Sequence, residues 1–378
     1  MNSQERVLSA INLETPDRVP LHTLAIDGNN VDKVLGGFTK SAFDMIHDIK
    51  VGNPDNWVGQ LNEIIGDLQT TIFSRMISAA AELGFDTCPA GYIPLKFESD
   101  EEMSDVFGRR YKIVNNEGNI FPVYVDGTIK TREDWETAPK PDSKSICKAA
   151  RKFYKSVQRA NKKRDILIMA TNDFTSVFPP VWQGMGMVAF ARALKRDPEL
   201  IQERFEMTTQ LVIDLFKTYA KEGAKVFFDG EDLAYKAGPL IHPKYVNKYL
   251  LPHMKRVTEA VHDLGCKIII HTDGDVTPLL DFFVESGYDA LHCLEPPYVD
   301  PRVVKKRIGH KLCLLGNIDT SHVLVKGSKK DVRGAVQDAI SALGKNGGFI
   351  LSPTNSHPAI SLERLKWMIE ATRELGNY

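Results

Sequence analysis

The sequence predicts an α/β fold, a closed (β/α)8 TIM barrel with an N-terminal helical extension and an inserted β-hairpin, and three observations carry that expectation. From about Asp165 onward, short apolar runs alternate with amphipathic segments, the rhythm of a parallel sheet covered by helices. Two earlier runs bring the strand count from six to eight. Several runs end in polar residues, as barrel strands do at an active rim: Lys267-Ile-Ile-Ile gives way to His271-Thr-Asp-Gly-Asp, Val226-Phe-Phe to Asp229-Gly-Glu-Asp, Ala290-Leu-His-Cys to Leu294-Glu-Pro-Pro, and Phe349-Ile-Leu to Ser352-Pro-Thr-Asn-Ser-His. An open doubly wound sheet is the alternative, but no GxGxxG opens a helix after any run.

The first two strand candidates are Arg18-Val-Pro-Leu-His-Thr-Leu and Phe85-Asp-Thr-Cys, with helical stretches near Thr39 to Ile49 and Asn56 to Leu83 between them. The segment 98–137 then breaks the rhythm. Arg109-Arg-Tyr-Lys-Ile-Val, an Asn/Gly turn over 115–119 and Ile120-Phe-Pro-Val-Tyr-Val read as a hairpin, and Thr137-Ala-Pro-Lys-Pro-Asp-Ser-Lys as a linker back to the helical layer. Some forty residues are too few for an independent core, so one domain over 1–378 with an insertion at about 98–137 is expected. The remaining strands are expected at Ile166 to Ala170, Lys225 to Phe228, Lys267 to Ile270, Ala290 to Cys293, Leu312 to Leu315 and Phe349 to Leu351, most rich in β-branched and aromatic residues. Helices are expected over Pro198 to Glu222, Pro243 to Leu264, Asp331 to Leu343 and Leu362 to Leu375, where apolar residues recur at spacings of three and four behind a Pro, Asp or Ser.

Charge balance excludes several function classes. Lys+Arg total 48 against Asp+Glu 49, a net charge of -1, which leaves no electrostatic footprint for nucleic acid or an anionic membrane. The first thirty residues carry charges throughout, and no run reaches about 18 consecutive apolar residues, so a cytoplasmic location is expected. Cys88, Cys147, Cys266, Cys293 and Cys313 form no CxxC pair and read as reduced, partly buried thiols.

The strand ends collect the candidate site: His22; Asn172 and Asp173; Asp229, Glu231 and Asp232; His271, Asp273 and Asp275; Glu295; Asn317 and Asp319; Ser352, Asn355, Ser356 and His357. Asp229, Asp275 and Asp319 also stand where Asp caps a helix or closes a turn, and His22 beside Pro20 reads equally as a packing residue. His271, Asp273, Glu295 and His357 together offer the nitrogen and oxygen donors of a zinc site, although no short-range motif such as HExxH licenses them. Tyr235, Trp182, Phe174 and Phe178, with Met185 and Met187, supply an apolar lining or ordinary packing, and Gly184-Met-Gly-Met is expected to form a mobile loop.

Glu5-Arg-Val-Leu-Ser-Ala-Ile, followed by Thr15-Pro-Asp-Arg-Val-Pro-Leu, resembles the N-terminal signature of the uroporphyrinogen decarboxylase superfamily, in particular its methyltransferase branch. The resemblance continues through Gly230-Glu-Asp-Leu-Ala-Tyr-Lys-Ala-Gly-Pro-Leu, Leu251-Pro-His-Met-Lys-Arg, His271-Thr-Asp-Gly-Asp, Leu294-Glu-Pro, Gly316-Asn-Ile-Asp and Ile350-Leu-Ser-Pro, all in the family's order. It implies a (β/α)8 barrel. The Arg-rich N-terminal loop with which the decarboxylases clamp substrate carboxylates has no counterpart here, which speaks against porphyrinogen decarboxylation.

The other branch resembles methylcobalamin:coenzyme M methyltransferases and the first methyltransferases of O-demethylase systems. The resemblance implies methyl transfer between a small substrate and the cobalt of a corrinoid (cobalamin) protein, with zinc as activator. In the coenzyme M enzymes zinc is held by a His-x-Cys at the place of His271-Thr-Asp273 and a Cys near Ser352 to His357; here Asp273 replaces the first Cys and Asn355 stands about where the second would be. Harder ligands suit an oxygen-bearing methyl donor, such as a methoxylated aromatic, better than a thiol. The expected catalytic residues are Glu231, Asp232 and His271, the metal ligands His271, Asp273, Glu295 and His357, and the substrate contacts His22, Asn172, Asp173, Tyr235 and Asn317. No segment carries a DxHxxG corrinoid-binding loop, so the corrinoid is expected on a separate partner protein. A metal-free decarboxylase using Asp232 as acid, and a non-catalytic barrel binding a tetrapyrrole or corrinoid, are the alternatives.

Overall fold

The first strand of the barrel is only two residues long, yet it closes the cylinder. In the computed structural model, which describes residues 1–37, 49, 56–99, 101–116, 119–172 and 174–378, Leu21 bridges Leu351 and His22 bridges Thr87, both in parallel. The His22 N–H donates to Leu351 O at 2.9 Å and the Thr23 N–H to Thr87 O at 3.2 Å. The other seven strands are β1 (Thr87–Ala90), then β6 (Leu167–Thr171), β7 (Val226–Gly230), β10 (Lys267–His271), β11 (Ala290–Cys293), β12 (Cys313–Ile318) and β13 (Phe349–Pro353), all parallel in the sheet order β1-β6-β7-β10-β11-β12-β13. The eight expected strands are therefore all present. The expected helical stretch near Thr39 to Ile49 lies outside the described residues, apart from Ile49 itself.

Alternation along the strands divides the core in two. Leu167, Met169, Val226, Phe228, Ile269, Ala290, Leu315 and Ile350 fill the barrel, whereas neighbours of opposite parity such as Phe227, Ile268, Ile270 and Leu314 face the helices. The helix Ser3–Ile11 joins the inner group through Val7, Ala10 and Ile11, and so packs its apolar face against the barrel filling. It starts where it does because of a reciprocal cap. The Glu5 N–H donates to Asn2 Oδ1 and the Asn2 N–H to Glu5 Oε2, each at 2.9 Å.

The insertion is larger than a hairpin. The expected pair is β4 (Arg109–Asn116) with β5 (Asn119–Gly127), but β2 (Leu95–Phe97) and β3 (Glu102–Asp105) precede it in a four-stranded antiparallel sheet of order β2-β3-β4-β5. This sheet leans on the helix Phe178–Met185: the Tyr124 hydroxyl donates to Gln183 O at 2.8 Å and the Ile129 N–H to Gly184 O at 2.9 Å. Gly184-Met-Gly-Met is therefore a packed joint rather than a mobile loop, with Gly186 at φ 75° separating that helix from Met187–Arg196. The five cysteines are free thiols. Among the described residues, no helix is long and apolar enough to cross a membrane.

Candidate active site

Parity along β10 turns Ile269 and His271 into the barrel, and the strand ends there because Thr272, Asp273 and Gly274 turn over the rim. The loop is braced on three sides. Thr272 Oγ1 accepts the Leu233 and Ala234 N–H groups at 2.8 and 3.2 Å, Glu295 Oε2 accepts the Gly274 N–H at 2.8 Å, and Asn355 Nδ2 donates to Asp273 Oδ2 at 2.8 Å. Asp273 Oδ1 is thereby left facing inward, 3.7 Å from His271 Nε2 and 3.3 Å from Cys293 Sγ. Asp232 Oδ1 approaches His271 Nε2 from the other side at 3.7 Å, on a backbone held at φ 34°.

His271, Asp273 and Cys293 form the group that could hold a metal, with one donor atom from each within 4.8 Å of the others. Tetrahedral zinc at about 2.0–2.3 Å from each donor separates its ligands by roughly 3.3–3.8 Å; the two spacings from Asp273, 3.3 and 3.7 Å, match, and the third pair, His271 with Cys293, lies within 4.8 Å. Three protein donors leave the fourth position open, the arrangement of catalytic rather than structural zinc. Burial first, and then the Asp273 carboxylate, push the Cys293 thiol well above the ordinary range, so binding a cation there would release its proton.

Above these residues lies a cavity of about 440 Å³, within the size range of small-molecule sites. Gly230, Asp232, His271, Asp273, Asn355 and Ser356 line it at the barrel end, while its walls are aromatic: Phe73, Tyr92, Phe174, and Tyr111 and Tyr124 from the inserted sheet. Arg109 also borders the cavity, but its charge is already matched by Asp105, and its guanidinium is spanned by Gln183 Oε1 at 3.0 Å and Phe174 O. An aromatic chamber ending in imidazole and carboxylate, with the Cys293 thiol buried behind Asp273, is thus built jointly by barrel and insertion.

Comparison with known proteins places this architecture. The family model described as uroporphyrinogen decarboxylase (URO-D) matches residues 103–375, more than half of the chain. The chain belongs to the uroporphyrinogen decarboxylase family. Among curated relatives it is 24% identical over 185 residues to a methylated-thiol–coenzyme M methyltransferase of Methanosarcina mazei, covering 49% of this chain and 48% of that protein. It is 29% identical over 106 residues to the methylcobamide:CoM methyltransferase MtbA of the same organism, covering 27% of this chain and 30% of the relative. The chain thus matches about half the length, or less, of these curated relatives. A solved methyltransferase from Methanosarcina mazei superimposes over 99% of both chains with a TM-score of 0.74 at 17% identity, a likeness of fold.

Within this family barrel, several expected site residues are placed elsewhere. Glu231 has the outward parity of Phe227 and Asp229: wholly buried, its carboxylate accepts the Val177 and Phe178 N–H groups, both at 2.7 Å, at the start of the helix Phe178–Met185. Burial and neighbouring Asp229 hold its carboxyl well above the ordinary range. Asp229 accepts from Tyr288 Oη and Asn172 Nδ2 at 2.7 Å each, so Asn172 ties β6 to β7. His22 is wholly buried beside Phe228, at a centroid distance of 5.5 Å, with neither ring nitrogen partnered, and is absent from the cavity lining.

Tyr235 is half exposed on the rim, and Asn317 stands opposite Ser352 in the sheet; neither lines the cavity. His357 is exposed and its Nδ1 accepts the Ala359 N–H at 3.0 Å, while Glu295 braces Gly274; neither joins the cluster of donors. Phe174 lines the cavity as expected, whereas Phe178 is buried in the helix-facing core. Asp173 lies outside the described residues. Sequence reasoning missed Cys293 as a ligand, reading it as a reduced, partly buried thiol, although it is the last residue of a strand beside His271; it also missed the cavity wall from the insertion.

Proposed function

We propose that this chain is a corrinoid-dependent methyltransferase that takes the methyl group of a methoxylated aromatic, with zinc held by His271, Asp273 and Cys293. The observation that carries the reading is the junction of a three-donor cation site with an aromatic-walled cavity. Relatives named for methyl transfer to coenzyme M support the reaction type. The donor set differs from the all-nitrogen-and-oxygen set expected from sequence, because Cys293 returns a thiolate from a neighbouring strand. One carboxylate donor still makes the site harder than a His-Cys-Cys site.

When bound, zinc supplies a Lewis acid for the departing ether oxygen, and the corrinoid of a partner protein supplies the nucleophile for the methyl carbon. The chain's residues orient and protonate. Tyr111, Tyr124 and Phe174 line the chamber and are placed to pack against an aromatic ring and orient it over the barrel end. Asp232, beside His271 at the cavity end with half its side chain in solvent, is placed to relay a proton from water to the leaving phenolate oxygen, a role the remote Glu231 does not reach.

Substituting His271→Ala tests the proposal. A folded protein that has lost both zinc and methyl transfer supports it, and unchanged turnover would rule out zinc-assisted transfer.

A further inference from the structure

The inner face of the barrel carries three imidazoles, from His22, His271 and His292, with His292 packed against both of the others. His271 Nδ1 lies 2.7 Å from His292 Nδ1, with both rings buried. On its far side His292 Nε2 meets Ser352 Oγ at 3.0 Å and the Pro353 carbonyl at 3.3 Å. We infer that His292 is a positioning residue that fixes His271 as its Nδ1–H tautomer and leaves the bare Nε2 of that ring aimed at Asp273 and Cys293.

Counting donors makes the argument. Two Nδ1 atoms at 2.7 Å must share one hydrogen: two would collide, and none would set two lone pairs against each other. The Pro353 carbonyl can only accept and the Ser352 hydroxyl can give or take, so a hydrogen on His292 Nε2 is the arrangement that satisfies both contacts. A neutral His292 then has a bare Nδ1, so the shared hydrogen belongs to His271. His292 is wholly buried among the His271, His22 and Phe228 rings, apolar surroundings in which an imidazole stays neutral. Phe228 adds the orientation, stacking on His271 at 5.7 Å and lying tilted to His292 at 5.5 Å between ring centroids. Metal-bound histidines generally donate their second nitrogen to such a partner, usually a carboxylate or carbonyl; here the acceptor is another imidazole. The value of the arrangement for zinc rests on the functional reading above, whereas the tautomer itself does not.

The test uses the full chain labelled with 15N at histidine. In long-range nitrogen–proton spectra of the metal-free protein, His271 is expected as the Nδ1–H form and His292 as the Nε2–H form. His292→Phe keeps the ring volume but removes the acceptor; His271 should then revert to mixed tautomers, and zinc affinity, read by chelator competition, should fall by about 10–100-fold. His292→Asn offers an acceptor oxygen and should restore much of both signals. An Nε2–H signal for His271 in the wild type, or undiminished zinc affinity in a folded His292→Phe protein, overturns the inference. If the phenylalanine variant fails to fold, the wild-type spectrum alone decides. The predicted tautomer without any methyl transfer would refute the functional reading and leave this one standing.

Discussion

Replacing Asp86 by alanine should loosen the seam at which the barrel closes. The residue precedes β1, is 1% exposed, and its carboxylate accepts from Arg6 Nη1 at 2.7 Å, Arg18 Nη1 and Nη2 at 2.9 Å each, the Leu21 N–H at 2.8 Å and Ser3 Oγ at 3.0 Å. One side chain therefore joins the N-terminal helix, the two-residue first strand and β1. Asp86→Ala leaves the buried Arg6 guanidinium with the half-exposed Asp17 as its one carboxylate, beside the Met1 carbonyl, and leaves the Leu21 N–H without its side-chain acceptor. Breaking a buried ion pair from one side costs about 3–5 kcal/mol. At roughly 1.3 °C per kcal/mol for a chain of this size, Tm should fall by about 4–6 °C in differential scanning calorimetry. Asp86→Asn, which keeps two of the acceptor contacts without the charge, should fall between. A shift below about 2 °C for the alanine variant would show that sheet pairing closes the barrel unaided and refute the reasoning.

Three further outcomes are expected. The Arg6 guanidinium holds the Asp17 carboxyl below its ordinary range, so the pair contributes stability that is fully present above the usual carboxylate pKa of about 4 and is lost progressively as pH falls from there toward the lowered folded-state value; Asp17→Asn should flatten the acid limb of the Tm–pH curve, and an unchanged limb would show the pair is inert. Gly274 adopts φ 78°, and a Cβ there would lie 2.2 Å from the Tyr235 carbonyl carbon, so Gly274→Ala should cost about 1–3 kcal/mol in urea unfolding and a neutral effect would contradict the packing described. Cys293→Ser should weaken zinc binding by at least about tenfold and abolish the sulfur-to-metal charge-transfer band of the cobalt-substituted protein; retention of the band would remove Cys293 from the site.

The barrel was legible because its strands are short β-branched runs whose ends change abruptly to polar residues, as at Ile270-His271 and Leu351-Ser352. Even the first strand was visible, since Val19, Leu21 and Leu24 follow directly on the polar turn Glu14 to Arg18. The strands Leu95–Phe97 and Glu102–Asp105 were not, because Leu-Lys-Phe and Glu-Met-Ser-Asp are too short and mixed to show alternation, and pairing with the hairpin organises them.

Site residues were legible as strand ends but not as faces. Parity from Phe228 assigns Glu231 to the helix side and Gly230 to the cavity, yet the sequence does not say which side Phe228 takes. Cys293 and His292 needed the β10–β11 register, which sets His271 opposite His292 and the thiol beside Asp273. His357 was misplaced because the loop after β13 turns at Asn355, whose side chain goes to Asp273 while the chain beyond it runs into solvent.

The most direct measurement is the anaerobic reaction of zinc-loaded protein with cob(I)alamin and a methoxylated aromatic, followed by the conversion of the cobalamin spectrum to that of methylcobalamin. The account predicts substrate-dependent methylation that is lost in Asp273→Ala and Cys293→Ser and after chelation of zinc. A folded, zinc-loaded protein that leaves cob(I)alamin unmethylated across a series of such aromatics, while methylating it from a methylated thiol, would contradict the account.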